Sequence, residues 1–482
     1  MKGVTLINKN ISYVIFIFLL SFFYVLPLLV SNSLFADDLW RVLSGYPGFL
    51  ENGRFMAEGL MYVISSGYGV LDPSPITQIL AAFIYWYSGY IISKKVSPEK
   101  SEIWNVIIGS SFLIGPFTIP QISFKFDSLT MALSVFSASL SYVIYRGGIK
   151  NSVACISLII ISLGFYQPSM FLAVCFPFAF NVVANKNIEF KKTLKDSLTF
   201  VFLVLVAFVL YKKALIPLMP SGSYAQEHSQ MVGFTYESIN IIKGSVKSIS
   251  YVFYDLLSAS DGYIFYIILA LPALVLISDF IRKRLNAKSI IIKFVSYFVV
   301  PVSLYFPMAL LKNPILEPRV MSSACLLLFI FFSLASKIKI YHANKIITLS
   351  VMAHFYIMMS IYSNALTASY NNNVNFSNNL SVILLNSGWK QGDEIYFSGQ
   401  LQNTMPVLRF FNRFPFYKRV IQNYYTDSYI LGYTISRLNG LDLKSPGNYY
   451  IPDVGNEWVG VGKSAYGNLY ERNGMFLFKF NR

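Results

Sequence analysis

Ile11-Ser-Tyr-Val-Ile-Phe-Ile-Phe-Leu-Leu-Ser-Phe-Phe-Tyr-Val-Leu-Pro-Leu-Leu-Val30 carries no charge, and just beyond it lies Phe35-Ala-Asp-Asp-Leu-Trp-Arg41. The first stretch has the roughly 20 apolar residues that an α-helix needs to cross a bilayer core. The second sets two adjacent carboxylates and an arginine where that helix meets water on its far side. Ionised groups beside hydrocarbon are costly and by default mark function. Neighbouring acids also repel, which raises the proton affinity of one and suits a general base. The alternative is a hydrated helix cap.

Composition extends the membrane reading to most of the chain. Of 482 residues, 55% are hydrophobic and 13% charged, and mean hydropathy is +0.52. A soluble domain carries about 25% charged residues. The fold class is therefore a polytopic α-helical membrane protein. The net charge of +16 does not point to nucleic acid, because no basic stripe with interleaved aromatics lies on a soluble segment. Cys155, Cys175 and Cys325 all fall in apolar segments, and His228, His342 and His354 are scattered. Neither set has metal-ligand spacing. Lys2 and Lys9 precede the first apolar run as in a signal peptide, but the run is long and Leu34 suits a cut after Ala36 poorly. An uncleaved first helix is expected.

Candidate spans are 11–31, 76–93, 103–120, 128–145, 151–166, 168–184, 197–216, 263–281, 290–311, 320–336 and 346–366, about 11 in all. Tyr166-Gln167-Pro168 leaves a very short turn between two of them, and proline suits a helix start. Lysine and arginine cluster at 94–100, 146–150, 186–195, 282–288 and 337–345, on the same side as Lys2 and Lys9. The opposite loops hold half as many. By the positive-inside rule the N-terminus is cytoplasmic, and an odd number of spans exports the tail.

The exported surface then consists of a first loop at 32–75, a middle loop at 217–262 with an amphipathic helix near 234–258, and the tail. The multi-spanning domain is 1–370, and 371–482 is a small periplasmic α/β domain. Asn371 to Asn379 reads as its linker. Glu394–Ser398, Lys418–Tyr424 and Gly474–Phe480 read as strands, and Thr404–Phe414 reads as a helix. Aromatics around Tyr449, Tyr450 and Trp458 suit either sugar stacking or a core.

The first loop continues through Gly45-Tyr46-Pro47-Gly48, Glu51-Asn52-Gly53-Arg54 and Glu58, with turns at both Pro-Gly and Asn-Gly. Arg41 could pair locally with Asp37 or Asp38, and Arg54 with Glu58 four residues on. Further exported cations are Lys125, with Asp127 across Phe126, then Lys212 and Lys213, then Arg319 after Glu317-Pro318. They run against the positive-inside bias, as an anionic ligand at the outer leaflet would require; snorkelling lysines are the alternative. Arginine offers phosphate a bidentate fork. There is no phosphate-cradling glycine loop, Gly-x-Ser-x-Gly elbow or zinc motif. A lipid-linked phosphate donor fits better than a soluble nucleotide sugar.

At these residues the chain resembles the serotype-converting O-antigen glucosyltransferases of enterobacteria and their phages, type II, within the GT-C superfamily. The matching pieces are Phe35–Arg41 with Asn52-Gly-Arg54, Ser123-Phe-Lys-Phe-Asp-Ser-Leu-Thr130, Gly164-Phe-Tyr-Gln-Pro168 and Glu317-Pro-Arg319. They are spread over about the first 320 residues, and the tail contributes none. The resemblance implies a GT-C-like membrane domain in the bacterial inner membrane. It implies undecaprenyl phosphate glucose as donor and a sugar of the lipid-linked O-antigen repeat as acceptor. It implies inversion, serotype conversion, and a donor synthase and donor flippase as companions. No cofactor is required, although the acid pair could hold a divalent cation loosely. Mapped here, Asp37 or Asp38 is the base, with Asp38 slightly favoured. Arg41, Arg54, Lys125, Lys212 and Arg319 would bind the donor phosphate or orient the pair. Glu51, Asp127, Tyr166, Gln167 and Glu317 would orient these groups or meet the acceptor.

Two rivals remain. An O-antigen polymerase would place its key arginines in two large central loops. A lipid-linked sugar flippase or transporter would show repeated halves and mid-membrane charges, and no internal repeat is visible.

Overall fold

A computed structural model describes residues 2–184, 189–220, 222–228, 230–233, 235–282, 285–338, 342–426, 430–444, 455 and 457–481. It is mostly helical. The helices are α1 (Lys2–Ser31), α2 (Asp37–Ser44), α3 (Phe55–Ile64), α4 (Ile76–Val96), α5 (Glu102–Gly109), α6 (Ile119–Ser123), α7 (Ser128–Ile144), α8 (Ile149–Phe165) and α9 (Ser169–Val183). They continue as α10 (Phe190–Leu210), α11 (Ser223–His228), α12 (Tyr236–Leu257), α13 (Gly262–Ile281), α14 (Ala287–Ala309), α15 (Cys325–Ala335), α16 (Ala343–Asn386), α17 (Met405–Arg413) and α18 (Ile430–Leu438).

Among the described residues five helical stretches are long and apolar enough to cross a membrane: Ile11–Ser31, Ile76–Val96, Lys191–Leu218, Gly262–Ile281 and Ala343–Asn386. Helices α7, α8 and α9 are shorter apolar helices, and Tyr166-Gln167-Pro168 does separate two of them. The expected span at 103–120 is not one helix. It breaks after Gly109 into a 3-10 turn and restarts as α6. Gly115 at φ 151° and Pro116 lie in the gap, and neither residue type sustains an α-helix. Ahead of the break, α4 and α5 pack closely. A Cβ on Gly89 of α4 or Gly109 of α5 would overlap the other's backbone, so only glycine lets these helices touch.

Lysines cap several helix ends. Lys95 Nζ donates to the carbonyls of Val143 and Tyr145 at the end of α7, 3.1 and 3.0 Å away. Lys293 reaches the carbonyls of Asn181, Val182 and Ala184 at the end of α9, and Lys337 reaches that of Val183 at 2.8 Å. The last carbonyls of a helix lack intrahelical donors and carry the negative dipole end, so a buried ammonium there is solvated by backbone. Lys95 and Lys337 belong to the basic clusters that set the expected topology.

Among the described residues the tail contains four strands: β1 (Ile395–Ser398), β2 (Val459–Lys463), β3 (Gly467–Arg472) and β4 (Met475–Phe480). Their order is β1-β4-β3-β2, with only β1 and β4 parallel. The strand expected at 418–424 is not formed; Pro415–Arg419 is a 3-10 helix. The linker expected at 371–379 is also corrected, because α16 runs through it without interruption. Asn373, Phe376, Ser377, Leu380 and Leu384 are buried along that stretch. Their helical spacing lets α16 leave the larger hydrophobic core and enter the smaller one, built largely from the C-terminal residues and called here the core of the C-terminal unit. Trp458 is buried, with the Arg472 guanidinium 6.0 Å from its ring centroid; Tyr449 and Tyr450 lie outside the described residues.

Candidate functional site

Helix α2 is short and two-faced. It ends at Gly45, whose left-handed φ of 68° lets its N–H return to the Arg41 carbonyl. Asp38, Leu39 and Arg41 are buried, whereas Asp37 and Trp40 share the exposed face one turn apart. The two acids therefore part company. The Asp37 carboxylate is 56% exposed and lies 3.5 Å from Arg319 Nη1.

Asp38 is fully buried. Its Oδ2 accepts the Lys125 backbone N–H at 2.9 Å and Oδ1 that of Phe126 at 3.4 Å. Burial pushes its carboxyl up to about 8, against the pull of the Lys125 N–H and Arg41. The acid that adds to the rise is Asp127, not the sequence neighbour Asp37. Because the folded state holds this proton more tightly than the unfolded chain, the associated stability is full below the ordinary carboxylate range and fades as pH rises through about 8. The thermal midpoint of the wild type should thus fall from pH 5 to 9 relative to Asp38→Asn, which cannot titrate. Parallel midpoint curves would show that Asp38 does not carry this proton.

Asp127 organises the other charges. Its Oδ2 takes Arg41 Nη1 and its Oδ1 takes Arg54 Nη1. Burial opposes ionisation of Asp127, but the two guanidiniums hold its carboxyl below the usual range. Neither local ion pair considered for these arginines is made. Arg54 also donates to the Phe165 carbonyl and to Thr130 Oγ1, each at 2.8 Å. Arg41 Nε reaches the Pro47 carbonyl at 3.1 Å. The Phe49 ring receives both guanidiniums, at 4.4 and 4.7 Å. Glu58 instead accepts the Leu50 N–H at 3.2 Å.

Lys125 is occupied too. Its Nζ donates to Asn32 Oδ1 at 2.7 Å and Asp72 Oδ2 at 3.0 Å, tying the end of α1 to the first loop. Lys212 is exposed on the π-helical turn Tyr211–Leu215 and joins none of these ion pairs. Its neighbour Tyr211 does reach the loop, donating to the Gly53 carbonyl at 3.0 Å. Gln167 bonds the Asn52 carbonyl at 2.6 Å and the Tyr211 hydroxyl at 3.0 Å. The Glu51 carboxylate near Tyr46 pushes the tyrosine up to about 12.

Arg319 is the cation that faces the exposed acid. It lies 5.0 Å from the Phe124 ring centroid, with Nε 2.7 Å from Glu317. Its backbone carbonyl accepts from Gln121 at 2.7 Å and from the Tyr166 hydroxyl at 3.4 Å. Nε and Nη1 are engaged by acids, which leaves Nη2 for an anion. The structure thus gathers Asp37, Arg319 and Glu317 in one cluster and Asp127, Arg41 and Arg54 in another, with Tyr166 touching both through its hydroxyl on the Arg319 carbonyl and its ring 5.3 Å from the Arg54 guanidinium. Asn32, Asp72, Gln121 and Thr130 were not singled out from sequence. Thr130 lies in a quoted stretch, but nothing local marks its partner. Among the described residues no group of three His, Cys, Asp or Glu side chains could hold a metal ion.

The chain matches the sequence model of the family described as "Glucosyl transferase GtrII" over residues 26–324. It is also 30% identical, over 263 residues, to the "Uncharacterized 55.3 kDa protein in gtrB 5'region" of Salmonella phage P22. That alignment covers 54% of each chain, so the chain spans about half the length of the curated relative it matches.

Proposed function

The chain belongs to the GtrII glucosyl transferase family, and from that premise we propose that it moves glucose from undecaprenyl phosphate glucose to a sugar of the lipid-linked O-antigen repeat. The reaction takes place at the outer face of the bacterial inner membrane. One observation carries this reading: the exposed Asp37 carboxylate meets the Arg319 guanidinium at 3.5 Å, just beyond a helix long and apolar enough to span a bilayer. A base beside a phosphate-binding cation is what transfer from a lipid phosphate needs.

Asp37 takes the proton of an acceptor hydroxyl as that oxygen attacks C1 of glucose. The bond from C1 to the phosphate oxygen breaks, and its electron pair leaves with the polyprenyl phosphate. Attack opposite the leaving group inverts C1, so a β-linked donor gives an α-linked branch. Arg319 meets charge that grows as the bond breaks, so it acts chiefly on the transition state. Asp38 was narrowly favoured by sequence, but its complete burial suits positioning and not contact with an acceptor. Trp40, exposed one turn from Asp37 on the same face, offers the acceptor ring an apolar plane. Loops 32–75 and 217–262 and the C-terminal unit lie in the periplasm, in a GT-C-like arrangement with a cytoplasmic N-terminus. A synthase and a flippase supply the donor.

Membranes carrying the protein, given labelled undecaprenyl phosphate glucose and a lipid-linked O-antigen acceptor, should form labelled product. Arg319→Ala should lower the rate about 10²–10³-fold, in the range for a lost oxyanion donor. Arg319→Lys should recover part of it, since it keeps the charge and loses the fork. Chain extension without glucose transfer would favour a polymerase. An unimpaired Arg319→Ala would remove Arg319 from the phosphate site.

A further inference from the structure

The family match ends at residue 324, so it gives no role to the C-terminal unit, yet that unit grips the residue before Asp37. Phe35, Ala36, Asp37 and Asp38 form a β-turn closed by the Asp38 N–H on the Phe35 carbonyl at 3.1 Å. Ala36, the second residue of the turn, has φ 47° and ψ −114°. These angles approach the type II′ position that favours glycine, and a side chain there is strained. Strain of this kind persists only where surroundings enforce it.

Here the enforcing group comes from the tail. The Tyr424 hydroxyl accepts the Ala36 N–H at 2.9 Å and lies 3.5 Å from the Leu34 carbonyl. Tyr424 is itself held, its own N–H reaching Asn373 Oδ1 of α16 at 3.3 Å. Both Ala36 and Tyr424 are buried, and Leu39 of α2 is fully buried in the hydrophobic core of the C-terminal unit. From the other side Asp38 is fixed by the Lys125 and Phe126 amides. Asp37 is the one exposed residue in the run 35–39, between two neighbours anchored to different parts of the molecule.

We propose that the C-terminal unit is the positioning element of the acceptor-activating carboxylate, and that it acts through the Tyr424 hydroxyl, which holds Ala36 in the turn that aims Asp37 at Arg319. This rests on the reading of Asp37 as the base. Tyr424 is a positioning residue and touches no reacting atom.

The test uses full-length protein in membranes. Tyr424→Phe keeps the buried ring and removes only the hydroxyl. It should lower kcat about tenfold, with KM for donor and acceptor within twofold of wild type and an unchanged thermal midpoint. Adding Ala36→Gly should restore much of kcat, because glycine adopts this turn without enforcement. An unchanged kcat in Tyr424→Phe would overturn the proposal. So would a loss of activity that merely follows a fall in thermal midpoint and is not relieved by Ala36→Gly. A readout independent of glucose transfer is the rate at which a charged thiol reagent modifies Asp37→Cys. That rate should change at least threefold when Tyr424→Phe is added, and an unchanged rate would also count against the proposal. If wild type transfers no glucose but the labelling rate does change, the functional reading fails while the grip of Tyr424 on the turn stands.

Discussion

Asp37→Asn should lower glucosyl transfer by about 10²–10⁴-fold in rate, the span expected when a general base is removed. The substitution is nearly isosteric, and the side chain it alters is 56% exposed with one ion pair at 3.5 Å. Surface pairs of this kind add little to stability, so the thermal midpoint should hardly move. Donor KM should stay within a few-fold, since in the proposed reaction the base would meet the acceptor hydroxyl and Arg319 the donor phosphate. Asp38→Asn separates the two acids by a different signature. It replaces one acceptor oxygen by an amide NH2 that must face either the Lys125 or the Phe126 N–H, so it should disturb folding together with activity. The decisive measurement is single-turnover transfer in membranes at matched protein levels. Full-rate transfer by Asp37→Asn would return the role of base to Asp38, in line with the narrow preference from sequence, or to a group not considered.

That preference shows where sequence reading stopped. The crowding of charge in Phe35–Arg41, Asn52–Arg54 and Lys125–Asp127 was legible because ionised groups beside apolar runs stand out. Their pairing was not legible. Arg41 and Arg54 lie near acids in sequence, yet both bind Asp127, which is 86 and 73 positions away. Separating Asp37 from Asp38 required knowing which face of α2 is buried, and that is set by Leu39 entering the C-terminal unit. Long helices such as α4 and α13 followed from apolar length alone. The asparagines at 371–379 have a linker's composition but a helix's spacing. Phe376, Leu380 and Leu384, four residues apart, already carried the helical signal. β2 holds Gly460 and Gly462 and has largely exposed positions, so it lacks the alternating pattern that betrays a strand.

Asp127→Asn should have the largest effect on stability. The wild-type cluster sets one carboxylate against two guanidiniums, with side chains only 3%, 9% and 10% exposed. Asparagine would leave two buried cations without a counter-charge and turn an amide NH2 toward an arginine donor. Breaking a buried pair from one side costs about 3–5 kcal/mol, a large part of the stability of a typical domain. The thermal midpoint in detergent should fall well beyond that of Arg41→Met, which leaves Arg54 paired with Asp127. Combining Asp127→Asn with Arg41→Met should then be less destabilising than the sum of the two, because the second change removes one stranded cation. The acid limb provides an independent check. The Asp127 carboxyl is held below its ordinary range, so its stabilisation is present above that range and is lost as pH falls through the lowered value, a sign opposite to that of Asp38. Wild type should therefore lose stability on acidification below about pH 4, where Asp127→Asn has nothing left to lose. Strict additivity in the double variant, or identical acid limbs, would mean that the two arginines draw their compensation from elsewhere.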